Sequence, residues 1–148
     1  MTKLAVSACL LGRPCRYDGG SKAHGAVQAL AKHEEALLLC PECLGGLKIP
    51  REPSEIVGGD GADVLAGRAR VISRAGTDVT EAFIQGAHAA LALCQEAGIE
   101  EAVLKARSPS CGSGSIYDGS FCGKTRPGWG VAAALLRENG IRVRSEED

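Results

Sequence analysis

Ala36-Leu37-Leu38-Leu39-Cys40-Pro41-Glu42-Cys43 is a short apolar run that stops at a cysteine. Such a run, bounded by a turn signal, reads as a strand buried on both faces, the kind parallel sheets use. Two other stretches have the same form: Leu4-Ala5-Val6-Ser7-Ala8 leads into Cys9, and Ala102-Val103-Leu104-Lys105 leads into a loop that Cys111 closes. If the three runs are neighbouring parallel strands, the three thiols lie at one end of the sheet. Open α/β sheets bind ligands at that end, so cysteines far apart in the chain can make one site.

The remaining sequence alternates strands and helices around these runs. Lys3–Ala8, Ala36–Leu39 and Glu101–Lys105 are expected as buried strands, Ile141–Arg144 as a last strand, and Arg68–Ser73 as an edge strand. Ala26, Val27, Leu30 and Ala31 give Ala23–His33 a helical spacing. Asp78 opens the clearest helix, with Glu81 three residues on as its capping-box partner and Gly98 as its left-handed stop. Phe83, Ala87, Leu91 and Cys94 line one face of it. Trp129–Glu138 is the last helix, ended by Gly140. Between Gly45 and Gly76 prolines and glycines break the pattern repeatedly. Short connections and βα alternation predict a single-domain, three-layer α/β sandwich over residues 1–148, with a mostly parallel sheet.

A chain of 148 residues can bury a core without disulfide staples. A formal net charge of −1 makes a long polyanion a poor partner. Five aromatic residues in all leave little material for a surface that stacks on single-stranded bases. No run approaches the roughly twenty apolar residues of a membrane span, and Met1-Thr2-Lys3 leads directly into a strand, so a cytoplasmic protein is expected, and a monomer suffices. In a reducing compartment, clustered cysteines bind metal or do chemistry more often than they form bridges.

The seven cysteines divide unequally. Cys94 sits on an apolar helix face and reads as core packing. Cys122, in Gly119-Ser120-Phe121-Cys122-Gly123, reads as a loop or packing residue. Cys15 lies in a turn near Cys9 and is either a ligand or a wall residue. Cys40-Pro41-Glu42-Cys43 has redox or metal CxxC spacing, against which stands a turn whose second cysteine merely packs. Zinc takes four protein ligands, or three and a water. An iron-sulfur cluster with one iron lacking a protein ligand is a Lewis acid with an open position. Single cysteines on three strand ends favour the cluster, and a zinc site stays open.

Val6-Ser7-Ala8-Cys9-Leu10-Leu11-Gly12, Arg16-Tyr17-Asp18-Gly19, Cys40-Pro41-Glu42, Gly46-Leu47, Pro50-Arg51-Glu52-Pro53 and Ser108-Pro109-Ser110-Cys111-Gly112 resemble the thiouracil desulfidase family. Asp78-Val79-Thr80-Glu81, Leu104-Lys105 and the tail from Gly128 to Val143 extend the resemblance over nearly the whole chain. It implies a Rossmann-like sandwich, a 4Fe-4S cluster on Cys9, Cys40 and Cys111, and removal of sulfur from thiolated uracil without net redox change. It also implies Glu42 as the acid-base residue and Ser108 as its hydroxyl partner.

The chemistry stands on its own terms as well. Thiocarbonyl sulfur is soft and suits an open iron, which would withdraw electrons from the attached carbon. Glu42 would take a proton from water attacking that carbon, with Ser108 holding the water or relaying the proton. Outside the family, Glu42 is a solvated loop acid and Ser108 a turn residue before Pro109. The glycine- and serine-rich stretch Ser108–Ser115 could form an anion nest, but it lacks the lysine and spacing of a phosphate loop. Arg13, Arg16, Lys48, Arg51, Lys105 and Arg107 flank the cysteine loops and would balance an anionic cluster, whereas His24, His33 and His88 are unpersuasive ligands. Relatives acting on thiolated transfer RNA carry an additional RNA-binding domain, for which this chain has no room. A small thiolated pyrimidine is therefore the expected partner. The competing reading is a non-catalytic iron-sulfur or zinc-binding module, reached if Cys15 or Cys43 closes the coordination.

Overall fold

A computed structural model describes residues 4–11, 17–18, 24–25, 28 and 36–148. Four parallel strands form the main sheet in the order β2-β1-β5-β8: β1 (Leu4–Ser7), β2 (Ala36–Leu39), β5 (Glu101–Leu104) and β8 (Arg142–Ser145). The register places Leu4 beside both Ala36 and Glu101, and Ser7 beside Leu39, so the carboxyl ends of three strands are level. Helices flank this sheet, and the expected α/β sandwich is what the chain forms. Among the described residues, no helix is long and apolar enough to cross a membrane.

Side chains alternate across the sheet. Ala5, Leu39, Ala102 and Leu104 face a core shared with α3 (Thr80–Ala97) and α4 (Val131–Glu138). Leu4, Val6 and Val103 are buried on the opposite face with Cys9 and Leu10. Phe83, Ala87, Leu91 and Cys94 all belong to the larger core, as their helical spacing predicts. Each large apolar side chain sequestered there is worth about 1.5–3 kcal/mol of transfer free energy. Gly98 closes α3 at φ 70°. The helix expected over 23–33 falls largely outside the described residues, although Gln28 N–H bonds the His24 carbonyl at 2.9 Å, a helical i→i+4 link.

Three expectations need correction. α3 begins at Thr80 without a capping box. Asp78 instead sits in a bridge to Ile72, and its Oδ1 accepts from Thr80 N–H two residues on at 2.9 Å, while Glu81 accepts from Gln85. The Arg68–Ser73 segment is not an edge of the main sheet. β4 (Arg70–Ser73) pairs antiparallel with β3 (Ser54–Val57) as a separate hairpin, in a region whose prolines and glycines mask the alternation. A second hairpin, β6 (Ser115–Tyr117) with β7 (Thr125–Pro127), occupies a stretch expected as loop.

Among the described residues, a capping box opens α2 (Gly61–Leu65), where Asp60 and Asp63 exchange side chain and backbone bonds at 3.3 and 3.0 Å. Asp60 also accepts from Trp129 N–H at 3.4 Å, tying α2 to the start of α4. Asp60→Ala is expected to cost about 1 kcal/mol, a fall in Tm of roughly 3 °C, measured by thermal unfolding of wild type and variant.

Candidate active site

Each of three adjacent strand ends, those of β2, β1 and β5, delivers one thiol. β1 runs into a 3-10 turn holding Cys9, β2 ends one residue before Cys40, and the chain leaving β5 doubles back to Cys111. All three line one cavity of about 350 Å3, together with Glu42, Ser108 and Ser110. Cys9 and Cys111 are buried, and Cys40 is half-buried. Soft sulfur donors suit iron-sulfur clusters or zinc, and a cavity this size accommodates a group larger than one ion together with a ligand.

The Cys111 loop is fixed from both sides. Ser108 Oγ accepts from the backbone N–H groups of Ser110 and Cys111, each at 3.1 Å, a turn that serine side chains favour. The first N–H groups of α4, which have no partner within their own helix, donate to the same loop: Val131 to the Pro109 carbonyl at 2.8 Å and Ala133 to the Ser110 carbonyl at 3.0 Å. At Gly130 a Cβ would stand 2.6 Å from the Ser110 carbonyl carbon, so only glycine permits this contact. Burial pushes the Cys111 thiol up to about 12, against hydroxyls of Ser7 and Ser110 that favour its thiolate. It remains protonated at neutral pH until a metal displaces the proton.

Cys40 precedes α1 (Pro41–Leu44), in which proline at the first helical position is preorganised. That single turn aims Glu42 into the cavity. Arg51 Nε donates to Glu42 Oε1 at 3.0 Å, and Ser110 Oγ donates to Oε2 at 3.0 Å. The Arg51 and Glu42 side chains are only 10% and 17% exposed. Burial works against the Arg51 charge, but the adjacent carboxylate outweighs it and holds the guanidinium above its ordinary range.

Ser108 does not touch Glu42 directly. Its hydroxyl lies 3.0 Å from Ser110 Oγ, and because Ser108 Oγ already accepts two N–H bonds, its own proton is available to donate to Ser110. The result is a directed line from Ser108 through Ser110 to Glu42. Ser110, 2% exposed, was missed as an active-site residue by the sequence reading, although it stands immediately before Cys111. Ser110 Oγ also lies 3.6 Å from Cys111 Sγ, so its one proton is shared between carboxylate and sulfur.

The other candidates sort cleanly. Cys43 is half-buried beside Cys40, and burial first, then Cys40, push its thiol up to about 11. Cys94 is a core residue whose thiol burial raises to about 11. Cys122 is exposed at the β6–β7 loop, so packing is excluded for it. Cys15, Arg13, Arg16 and His33 lie outside the described residues. Lys105 pairs with Glu146 at 3.2 Å and Arg107 bidentately with Glu147 at 2.8 and 2.7 Å, so both cations are matched by the acidic tail. Lys48 and His88 are exposed. The N–H groups of Ser110, Cys111 and Gly112, which a nest would need, are spent within the Cys111 turn on Ser108.

Residues 4–148 match the family model for 2-thiouracil desulfurase. The chain belongs to the 2-thiouracil desulfurase family. Its sequence is 48% identical over 145 residues to the uncharacterized protein YbbK of Bacillus subtilis (strain 168), covering 98% of this chain and 96% of that one. Its fold matches the solved structure of the 4Fe-4S-dependent thiouracil desulfidase TudS with a TM-score of 0.86 and 47% identity, over 99% of this chain and 92% of that one. These matches span the sheet, the cysteine loops and the Glu42 turn together.

Proposed function

We propose that the chain is a 4Fe-4S-dependent desulfidase of thiolated pyrimidines that replaces thiocarbonyl sulfur with oxygen from water. The observation that carries this is the meeting, in one cavity, of three strand-end thiols and a carboxylate held by Arg51 and Ser110. Cys9, Cys40 and Cys111 would hold the cluster. When bound, it supplies a soft Lewis acid for the thiocarbonyl sulfur.

The protein's own groups handle water and protons. A carboxylate fixed at both oxygens cannot rotate, and Glu42 is placed to take a proton from water as that water attacks the thiocarbonyl carbon. Glu42 then returns the proton to sulfur as the carbon–sulfur bond breaks, while Ser108 and Ser110 hold its carboxyl group in register. Thiouracil and water become uracil and hydrogen sulfide, with no change in oxidation state. Arg51 holds the carboxylate in place before the attack. Free bases or nucleosides are the proposed substrates, and a reducing cytoplasm suits a site built on cysteine thiolates.

Anaerobic reconstitution followed by incubation with 2-thiouracil in 18O-water tests this reading. Uracil and sulfide are expected in equal amounts, with the label in the new carbonyl. Iron-loaded protein that yields no uracil overturns the function, and unlabelled uracil overturns the hydrolytic route.

A further inference from the structure

The chain has five aromatic residues, and three of them, Tyr17, Tyr117 and Phe121, line the cysteine cavity rather than the core. Aromatic side chains are the largest hydrophobic groups available for packing, so placing most of so small a set around one cavity points to a ligand with a flat face. Phe121 stands out among them for its backbone, at φ 57°, a left-handed conformation rare for a bulky residue. Such strain persists only where neighbours overdetermine it.

Those neighbours come from the β3–β4 hairpin. Glu55 Oε1 accepts from the N–H groups of Gly119 and Phe121 at 2.9 and 3.2 Å. Gly119, at φ 93°, lets the loop approach β3 so closely that a Cβ would stand 2.6 Å from the Ile56 carbonyl oxygen. The Arg74 guanidinium carbon lies 6.0 Å from the Phe121 ring centroid, restraining the ring by cation–π attraction. Within the loop, Asp118 N–H bonds the Lys124 carbonyl at 3.0 Å and Asp118 Oδ1 accepts from Ser120 N–H at 2.9 Å. Two hairpins outside the main sheet thus cooperate to hold one aromatic ring at the cavity.

We propose that Phe121 is the stacking wall of the site and selects planar, unsaturated heterocycles over thiocarbonyl compounds without an aromatic face. This rests on the desulfidase reading of the cavity and deepens it, since it names the feature of the substrate that the protein reads apart from sulfur. Glu55 acts as a positioning residue through the loop backbone.

Cluster-loaded wild type, Phe121→Leu and Phe121→Trp are titrated calorimetrically with uracil and with 5,6-dihydrouracil, which keeps the polar edge but loses ring planarity. Their kcat and KM for 2-thiouracil are measured alongside, with iron content as the check on folding. Base stacking on an aromatic side chain sets the scale at roughly tenfold. Phe121→Leu is expected to weaken uracil binding and raise KM by about that factor, with dihydrouracil affinity and kcat within about twofold of wild type. Phe121→Trp restores both. Uracil affinity unchanged in Phe121→Leu, an equal loss for both ligands, or no uracil binding to wild type overturns the wall. Uracil binding that depends on Phe121 without any sulfide release supports the wall and overturns the desulfidase reading alone.

Discussion

Glu42→Gln is expected to cut sulfide release from 2-thiouracil by roughly two to four orders of magnitude, the usual range for a positioned acid-base group, while leaving iron content unchanged. Cys9→Ala, Cys40→Ala and Cys111→Ala are expected to lose the iron itself. The contrast is sharp because Cys40 and Glu42 share one turn, so a general distortion of that turn would affect both readouts together. Glutamine keeps the volume of the side chain and can still accept from Arg51, so loss of activity reports the missing negative charge. It leaves Arg51, its side chain only 10% exposed, without its carboxylate, as a secondary cost in stability. Iron and acid-labile sulfide assays on anaerobically purified variants, paired with initial rates, decide the matter. A Glu42→Gln enzyme within tenfold of wild type removes Glu42 from the chemistry. Cys43→Ala belongs in the same set: retention of iron and activity is expected, whereas loss of iron equal to that of Cys40→Ala makes Cys43 a ligand and favours a closed, non-catalytic cluster.

The convergence of Cys9, Cys40 and Cys111 was legible in the sequence because parallel strands have a simple grammar. An apolar run followed at once by a cysteine fixes which end of the sheet the thiol occupies, and the observed register levels those ends. The Glu42 turn follows directly on the same strand end, with Glu42 three residues beyond it, and the role of Glu42 was given by the family resemblance. Side chain connections were not legible. Ser108 and Ser110 are alike in sequence, and only the geometry makes Ser108 the turn former and Ser110 the link to Glu42. β4 was legible as a strand from its alternation, but its partner β3 and the β6–β7 hairpin were obscured because their strands are only three or four residues long amid prolines, glycines and charges. The capping box was placed wrongly at Asp78 because the pattern Asp-x-x-Glu takes no account of a neighbouring strand that claims the backbone. The box that forms, at Asp60, has aspartate in the third helical position instead of glutamate.

Gly86→Ala is expected to destabilise the protein and to impair iron loading, although helix propensity alone predicts a gain. Gly86 lies inside α3, where glycine is about 1 kcal/mol worse than alanine, so a purely local view recommends the change. Its surroundings reverse the sign. A Cβ at Gly86 would overlap the Pro41 carbonyl oxygen and stand 2.9 Å from the Pro41 carbonyl carbon, and a Cβ at Gly45 would likewise overlap the Ala82 carbonyl oxygen. The two glycines let the backbone of the Pro41–Leu44 turn lie directly on the helix backbone, with no side chain between. Backbone atoms cannot swing aside as a flexible side chain does, so α1 must move. Overpacking of this kind costs about 1–3 kcal/mol, enough to cancel the propensity gain and leave a net loss of up to about 2 kcal/mol. The displaced element carries Cys40 and Glu42, so the change acts on the site without touching it. Denaturant unfolding of the apoprotein, with iron content after reconstitution, measures both effects. A Gly86→Ala protein that is more stable than wild type and loads iron fully would show that the turn reseats freely, and that the glycine pair does not set the position of Cys40.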